Sequence, residues 1–304
     1  PWIICGLASI FYCYEYLLRI APGSMESELM AAFDITSEGV GLLSACYFFA
    51  YTPMQLPCGV LMDKYGPRRI LTFAVFCCAV GAALMGLSVV DVDLHLLPPF
   101  DIALIGRFLI GFGSAFAFVG VLKLASVWLP PDRFAFIAGL TTTLGMIGAM
   151  VGQNSMSSMV DFFGIDKTIL YSALVGFLLF PIIWLIVRDE PKGAASESVS
   201  VSFKKLWKDI AQVLKNKQIW INGLIGVFII LPTTVFAELW GRLFLKTAYG
   251  FDANTAVQAT SMIFLGWAVG GPLAGFVSDT LKNRKIPLVL GALLGGILML
   301  LLIY

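Results

Sequence analysis

Four ionisable side chains stand inside otherwise apolar runs of this sequence: Glu15, Arg19, Arg107 and Glu238. Glu15 and Arg19 are four residues apart, so on a helix they share one face, with Tyr12 and Tyr16 beside them. A guanidinium group binds a carboxylate or phosphate through paired hydrogen bonds, and a carboxylate that is withdrawn from water readily takes up a proton. These residue types are therefore suited to binding an anion and to carrying a proton.

The same residues also have purely structural explanations. Glu15 and Arg19 can neutralise each other on one helix face, with Arg19 reaching outward to the membrane surface, and Glu238 can pair with Arg242 in the same way. An ionisable group inside a membrane costs several kcal/mol unless it is paired or hydrated, so each of them is a candidate for function. Pairing and function are not exclusive roles.

Nine apolar segments must position these residues. Apolar residues make up 59% of the 304 residues and charged residues only 13%, against roughly a quarter in soluble domains. Because about 20 apolar residues cross a bilayer core, we predict an all-α polytopic membrane protein. The predicted spans cover approximately 2–21, 38–61, 70–90, 101–128, 134–160, 168–187, 219–245, 254–278 and 287–304. Proline and glycine mark the breaks, as at Ala21-Pro22-Gly23. The first segment carries charge and no basic leader, so we interpret it as a retained span.

The predicted depth of the four charges is similar. At about 1.5 Å per residue from the nearest helix end, Arg19 lies roughly 5 Å deep, Arg107 and Glu15 about 10 Å, and Glu238 about 12 Å. All four are therefore expected in one layer, near the same face of the membrane. The aromatic stripe Tyr47, Phe48, Phe49 and Tyr51 is interpreted as packing, and so are the cysteines, which lack metal-ligand spacing.

The basic residues are distributed unevenly between the two sets of loops. If the chain enters from the cytoplasm, 14 of the 20 lysines and arginines lie on the cytoplasmic side. These are Lys64, Arg68, Arg69, Arg133, Arg188, Lys192, Lys204, Lys205, Lys208, Lys215, Lys217, Lys282, Arg284 and Lys285. The positive-inside rule thus predicts a cytoplasmic N-terminus. His95, the only histidine, is predicted in an outer loop.

The longest break between spans reads as a linker on the membrane surface. Residues 203–214 place Phe203, Leu206, Trp207, Ile210 and Leu214 at helical spacing among lysines. Such a basic amphipathic helix lies on cytoplasmic headgroups or binds a partner. We predict an N-terminal six-helix half at 1–188, a linker at 189–217 and the first part of a second half at 218–304.

An eleven-residue motif occurs twice at an offset of 216 residues. GVLMDKYGPRR begins at Gly59, and GFVSDTLKNRK begins at Gly275. The candidate gating residues are Gly59, Asp63, Lys64, Gly66, Arg68 and Arg69 in the first copy and Gly275, Asp279 and Arg284 in the second. Each copy follows the second helix of a six-helix half, which indicates an internal duplication.

The first copy resembles the G-x-x-x-D-[RK]-x-G-x-[RK]-[RK] signature of the major facilitator superfamily. GRFLIGFGSAF, WLPPDR, GLTTTLGMIGAMVGQ and RDEP extend the resemblance over most of the chain, in the branch that carries organic anions, sugar acids and peptides. The resemblance implies two six-helix halves that move about a central site, a second half as long as the first with helices 10 to 12 after Tyr304, and a gating role for the motif.

The resemblance also implies roles for individual residues. In relatives that carry organic anions, arginines on the first and fourth helices meet the substrate, which implicates Arg19 and Arg107 in substrate binding with Tyr16 beside them. Glu15 or Glu238 is the expected proton carrier. We predict an alternating-access transporter, possessing no enzymatic activity, for a small, polar, anionic solute in a bacterial inner membrane.

Three other classes of function compete with this prediction. A channel, a membrane-embedded enzyme and a non-transporting receptor share the helical scaffold, and fold alone does not decide between them. The sequence presents neither a filter repeat nor a nucleophile with its base in a span. We predict no cofactor, no metal, no nucleic-acid partner and a monomer in contact with the lipid bilayer, its solute and protons.

Overall fold

The computed structural model describes residues 1–90, 97–190, 214–283 and 285–303, and the regular elements in these ranges are helices. We number them α1 (Trp2–Ser24), α2 (Glu26–Phe33), α3 (Ser37–Tyr65), α4 (Pro67–Val89), α5 (Pro99–Ser114), α6 (Ala117–Trp128), α7 (Pro131–Phe163), α8 (Ile165–Ile186), α9 (Lys217–Pro232), π1 (Thr233–Trp240), α10 (Gly241–Tyr249), α11 (Ala253–Leu281) and α12 (Lys285–Ile303). His95, Arg284 and the predicted amphipathic helix up to residue 213 lie outside the described residues, and so does the side chain of Asp279.

The described helices are long and apolar enough for an integral membrane protein. Eight qualify as membrane spans by length and composition, with α5 and α6 taken together and α9, π1 and α10 taken together. The α2 and α3 pair, bent by 106°, raises the number to nine when it is counted as one span. The predicted all-α polytopic fold is confirmed.

Three helices differ from the predicted spans. The first helix continues through Pro22 to Ser24, where the sequence predicted a break. The predicted single span 101–128 is divided, because α5 ends at Ser114 and α6 begins at Ala117. The short helix α2 was not predicted, since it lies in what was read as a polar loop.

The tenth element, π1, is a π-helix rather than a continuation of α9. Pro232 has no N–H group to donate to the carbonyl four residues earlier, and its ring crowds that carbonyl. The next eight residues, Thr233–Trp240, take the wider π-helical spacing, which is often found at functional sites. This wider turn displaces the residues that follow it around the helix axis.

The first eight helices form the more densely packed part of the described structure. The helix α4 packs against α5 and α8, whereas α1 packs against α7, and α7 in turn packs against α11. The buried residues form two apolar clusters, and Arg107, Tyr47 and Phe11 are among the largest fully buried side chains. Exposed leucine, isoleucine and phenylalanine side chains cover α8, α9 and α12, as expected where lipid is the solvent.

Gly66 makes the tight connection between α3 and α4. Its φ is +83° and its ψ is 143°, a region that is nearly restricted to glycine. A Cβ atom at this position would also stand 2.6 Å from Oδ1 of Asp189. The glycine of the repeated motif is therefore required by backbone geometry.

We expect Gly66→Ala to destabilise the protein by about 1–3 kcal/mol, the usual cost of such a backbone conformation. Gly139 is a matched control, because it lies inside α7 and a Cβ atom there meets nothing within 4 Å. Unfolding temperatures of the purified variants in detergent measure both effects. Equal stability of Gly66→Ala and Gly139→Ala would show that the connection tolerates a side chain.

Candidate functional site

An ion pair buried between α1 and π1 is the centre of the candidate site. Nε of Arg19 lies 3.0 Å from Oε2 of Glu238, and the two side chains are only 9% and 6% exposed. The pair joins residues 219 positions apart in the chain. It therefore connects the first helix group, α1–α8, to the second group, α9–α12.

Aromatic rings surround the guanidinium group of Arg19. Its Cζ lies 5.1 Å from the centroid of the Tyr16 ring, 5.2 Å from that of Phe48 and 5.8 Å from that of Tyr51. Such rings attract a cation through their negative faces, and the attraction increases when water is excluded. Phe48 and Tyr51, two residues of the aromatic stripe that was interpreted as packing, thus form a wall of this site, whereas Phe49 is exposed.

Glu15 has a different partner from the one predicted. Oε1 of Glu15 accepts a hydrogen bond of 2.5 Å from the hydroxyl of Tyr47, and Oε2 has no hydrogen-bond partner. The Tyr47 ring stacks on Tyr51, with the centroids 5.5 Å apart. A buried carboxylate with one vacant oxygen is able to accept a proton, because protonation removes the cost of burying its charge.

Arg107 is held by backbone carbonyl groups. Its Nε donates to the Leu43 oxygen at 3.1 Å, Nη1 donates to Leu18 at 2.8 Å, and Nη2 donates to Arg19 at 3.4 Å. The residue is 1% exposed, and its Cζ lies 5.0 Å from the centroid of the Tyr47 ring. The adjoining cavity has a volume of about 10 Å³, enough for at most one water. In this arrangement backbone carbonyls occupy the Arg107 guanidinium, and its role in substrate binding stays a prediction.

Further contacts close the end of the bundle that contains Ser24. Arg242 donates to the Ser24 carbonyl and lies 3.8 Å from Oε1 of Glu28. Lys246 donates to Ser27 at 3.4 Å. Gly23 lies so close to the Glu238 carbonyl that a Cβ atom would overlap it. The alternative pair of Glu238 with Arg242 is therefore replaced by contacts between the two helix groups.

Two polar side chains of α7 join the groups nearer the middle of the bundle. The Gln153 amide donates to the Ala237 carbonyl at 3.2 Å and to the Thr260 hydroxyl at 3.1 Å. The Thr143 hydroxyl donates to the Ala268 carbonyl at 3.4 Å. Within the described ranges, the polar side-chain contacts between α1–α8 and α9–α12 lie in the middle of the bundle or at its Ser24 end. Among the residues that the structure describes, the polar side-chain contacts at the Trp2 end stay inside the first group.

The first copy of the repeated motif lies at the Trp2 end. Lys123 Nζ lies 2.7 Å from Asp63 Oδ1, and the Arg68 amide donates to Asp189 Oδ1 at 2.7 Å. The Arg68 guanidinium donates to the Trp184 carbonyl at 2.8 Å and covers the ring of the same residue. These contacts tie the α3–α4 connection to α6 and to the end of α8. The corresponding contacts of the second copy depend on residues outside the described part.

The structure brings together residues that the sequence analysis named separately and some that it did not. Arg19, Tyr16, Glu15 and Glu238 gather within one cluster, with Arg107 behind it. Phe48, Tyr51 and Gln153 were not predicted as site residues. The sequence did contain a signal for two tyrosines of the site. Tyr47 and Tyr51 are four residues apart, so they lie on one face of a helix.

Among the described residues, no group of three or more histidine, cysteine, aspartate or glutamate side chains could hold a metal ion. The described arrangement offers a guanidinium in an aromatic pocket, and two buried carboxylates next to it. Groups of these types can bind an anion and exchange a proton.

Comparison with known proteins assigns the family. Residues 7–304 match the sequence profile described as the Major Facilitator Superfamily. The probable galactarate/D-glucarate transporter GudP of Escherichia coli strain K12 is 24% identical over 98% of this chain and 71% of its own length. The hexuronate transporter of the same strain is 22% identical over 96% of this chain and 70% of its own length.

Solved structures share the fold. A bacterial homologue of the human lysosomal transporter Spinster superposes with a TM-score of 0.70 at 15% identity, over 91% of this chain and 62% of that one. A D-xylose-proton symporter superposes with a TM-score of 0.63 at 12% identity, over 91% and 68%. The chain thus spans less than two thirds of the first of these structures. The sequence match and the shared helical architecture show that this chain belongs to the Major Facilitator Superfamily.

Proposed function

We propose that this protein is a secondary transporter for a small organic anion, and that Arg19 binds the anion's carboxylate. The observation that carries the proposal is the buried Arg19–Glu238 ion pair between the two helix groups, surrounded by the rings of Tyr16, Phe48 and Tyr51. A guanidinium held in this way is pre-organised to exchange one carboxylate for another.

Competition between the substrate and Glu238 for Arg19 couples anion binding to proton uptake. A substrate carboxylate and Glu238 both seek the same guanidinium, and a buried negative charge without a partner is costly. Protonation of Glu238 releases Arg19, so that one proton enters the site with each carboxylate that binds. Glu15, four residues from Arg19 on α1 and hydrogen-bonded to Tyr47, is the second proton acceptor of the site.

The contacts between the groups support alternating access. Arg242, Lys246 and Gln153 join the groups at the Ser24 end and in the middle, whereas the described contacts at the Trp2 end stay inside the first group. The two groups, 1–188 and 218–304 with a linker at 189–217, would separate at one end and close at the other. Two of the three competing classes, a receptor and a channel, do not need such an exchange of contacts.

The names of the relatives support the substrate class. They are described as transporters of galactarate, D-glucarate and hexuronate, which are sugar acids with one or two carboxylates and several hydroxyl groups. We extend this class to the present chain, together with a bacterial inner membrane and a cytoplasmic N-terminus. With this orientation the Ser24 end faces outward and the repeated motif faces the cytoplasm.

Uptake by purified protein in liposomes tests the proposal. Labelled D-glucarate, galactarate and a hexuronate are each offered, with D-xylose as an uncharged control. We expect saturable uptake of at least one sugar acid, competition among the acids and no competition by D-xylose. Equal uptake of D-xylose and of the acids, or uptake that does not saturate, would exclude an anion carrier built around Arg19.

We expect Asp63→Asn to slow turnover about tenfold while leaving substrate affinity within about twofold. Asp63 pairs with Lys123 at the end of the bundle opposite to Arg19, where the motif is proposed to act as a gate. The pair is partly exposed, so little stability is lost. Initial uptake rates and binding constants of Asp63→Asn, compared with those of the exposed control Asp161→Asn, decide the point. A normal rate in Asp63→Asn would refute the gating role.

A further inference from the structure

A proline leaves one carbonyl of α1 without its helical donor. In an α-helix each carbonyl accepts a hydrogen bond from the N–H group four residues later. Pro22 lies inside α1 and has no N–H group, so the Leu18 carbonyl loses that partner. Leu18 is 2% exposed, and a buried carbonyl without a donor is costly. The gap lies one residue before Arg19.

Arg107 occupies this gap. Its Nη1 donates to the Leu18 carbonyl at 2.8 Å, the shortest of its three recorded bonds, and Nη2 donates to the neighbouring Arg19 carbonyl at 3.4 Å. The third bond, from Nε to Leu43 at 3.1 Å, ties the same guanidinium to α3. These three carbonyls and the face of Tyr47 satisfy the buried charge.

The same arrangement recurs in α11. Pro272 lies inside that helix, four residues after Ala268, so the Ala268 carbonyl also lacks its helical donor. The Thr143 hydroxyl of α7 donates to this carbonyl at 3.4 Å. A side chain from a facing helix thus replaces a missing backbone donor at two prolines of this protein.

We propose that Arg107 is a positioning residue: it replaces the backbone donor that Pro22 removes and thereby fixes the α1 backbone at the anion-binding Arg19. In this arrangement its three hydrogen bonds all go to backbone carbonyls, and the adjoining cavity has a volume of about 10 Å³. The proposal rests on the proposed function for its link to anion binding. Its structural part stands on the Leu18, Pro22 and Arg107 geometry.

The test combines a substitution that removes the Arg107 guanidinium with one that restores the missing N–H group in α1. Pro22→Ala restores an N–H group that bonds the Leu18 carbonyl within the helix. Four proteins are compared, namely the parent, Arg107→Gln, Pro22→Ala and the double variant. Arg107→Gln with Pro181→Ala is the matched control, because Pro181 lies inside α8 and far along the chain from Leu18. Each protein is measured for unfolding temperature in detergent and for its dissociation constant with D-glucarate.

We expect Arg107→Gln to lower the unfolding temperature and to weaken D-glucarate binding about tenfold, a size typical for a lost bond to a charged group. Pro22→Ala in that background should recover a large part of the unfolding temperature and bring binding to within about threefold of the parent. Pro181→Ala should recover neither. Arg107→Lys, which keeps the charge with one nitrogen, serves in the same cycle if Arg107→Gln does not fold.

The outcomes separate the possible roles of Arg107. If Pro22→Ala recovers neither quantity, Arg107 does not act through the Leu18 carbonyl and the proposal is overturned. If it recovers stability but not binding, Arg107 affects the anion by a route other than the Leu18 carbonyl, such as direct contact, and the proposed link to Arg19 is refuted. If the parent itself binds none of the sugar acids, the proposed function fails, and the unfolding temperatures alone still decide whether Arg107 fills the Pro22 gap.

Discussion

Neutralising both members of the buried ion pair, as Arg19→Gln with Glu238→Gln, is expected to abolish anion binding in a protein that remains folded. Removing only one member would leave a buried charge without a partner, at a cost of about 3–5 kcal/mol. The double variant avoids that cost and leaves two amides that can hydrogen-bond each other. Its dissociation constant for D-glucarate should rise at least about a hundredfold, which corresponds to about 2.7 kcal/mol.

Two further variants show whether the charge or its position matters. The exchanged pair, Arg19→Glu with Glu238→Arg, keeps an ion pair between α1 and π1 but moves the guanidinium away from the rings of Tyr16 and Phe48. We expect it to fold and not to bind. Lys167→Gln, an exposed cation at the start of α8, is the surface control and should bind normally. Undiminished binding by the neutral double variant would remove Arg19 from the site.

Glu238→Gln alone leaves Arg19 without its charged partner, so its folding is first checked by its unfolding temperature. In the folded variant, transport is expected to be separated from the proton gradient. Its amide cannot give up a proton, so Arg19 stays available to the anion at every pH. If one proton accompanies each anion, one pH unit across the membrane corresponds to about 1.4 kcal/mol and a roughly tenfold accumulation in the parent protein. Glu238→Gln should exchange internal for external anion and show no such accumulation.

The measurement is the ratio of internal to external D-glucarate in liposomes with an imposed pH gradient and no membrane potential. Glu15→Gln is measured beside it, because Glu15 is the other buried carboxylate near Arg19. Accumulation that persists in Glu238→Gln but disappears in Glu15→Gln would place the coupled proton on Glu15. Accumulation that persists in both variants would contradict proton coupling at this site.

The presence of the helices could be predicted from the sequence, because a helix that crosses lipid needs a long apolar run. The charged residues inside those runs could also be identified, because they interrupt the apolar pattern. The partners of those charges were not visible. Spacing along one helix suggested Glu15 with Arg19 and Glu238 with Arg242, yet Arg19 pairs with Glu238 from 219 residues away. Such pairing depends on how two helix groups meet, which a local pattern does not specify.

Glu238 and Arg242 find their partners in the other helix group rather than in each other. Glu238 lies in the π-helical segment that follows Pro232 and pairs with Arg19, whereas Arg242 meets Ser24 and Glu28. Pro232 was a signal for a kink, but a proline does not reveal whether a break, a bend or a π-turn results.

The role of Arg107 shows a similar limit. Its burial and the glycine-rich surroundings were predictable, and a family resemblance pointed to substrate. The residue that explains the hydrogen bond of Arg107 is Pro22, which lies 85 positions earlier. Pro22 has no N–H group, so the Leu18 carbonyl lacks its donor within the helix. Pro22 was read only as the end of a span. A proline inside a membrane helix creates a polar group that a neighbour must satisfy, and this requirement is not local.

Counterflow tests the central claim, that Arg19 is the anion-binding group of a transporter, most directly. Liposomes containing the purified protein are loaded with unlabelled D-glucarate and diluted into a trace of labelled D-glucarate. A carrier gives a transient internal excess of label, and we expect this excess in the parent and its absence in the variant Arg19→Gln with Glu238→Gln. An equal excess in both proteins, or no excess in a folded parent for D-glucarate, galactarate and a hexuronate alike, would contradict the account.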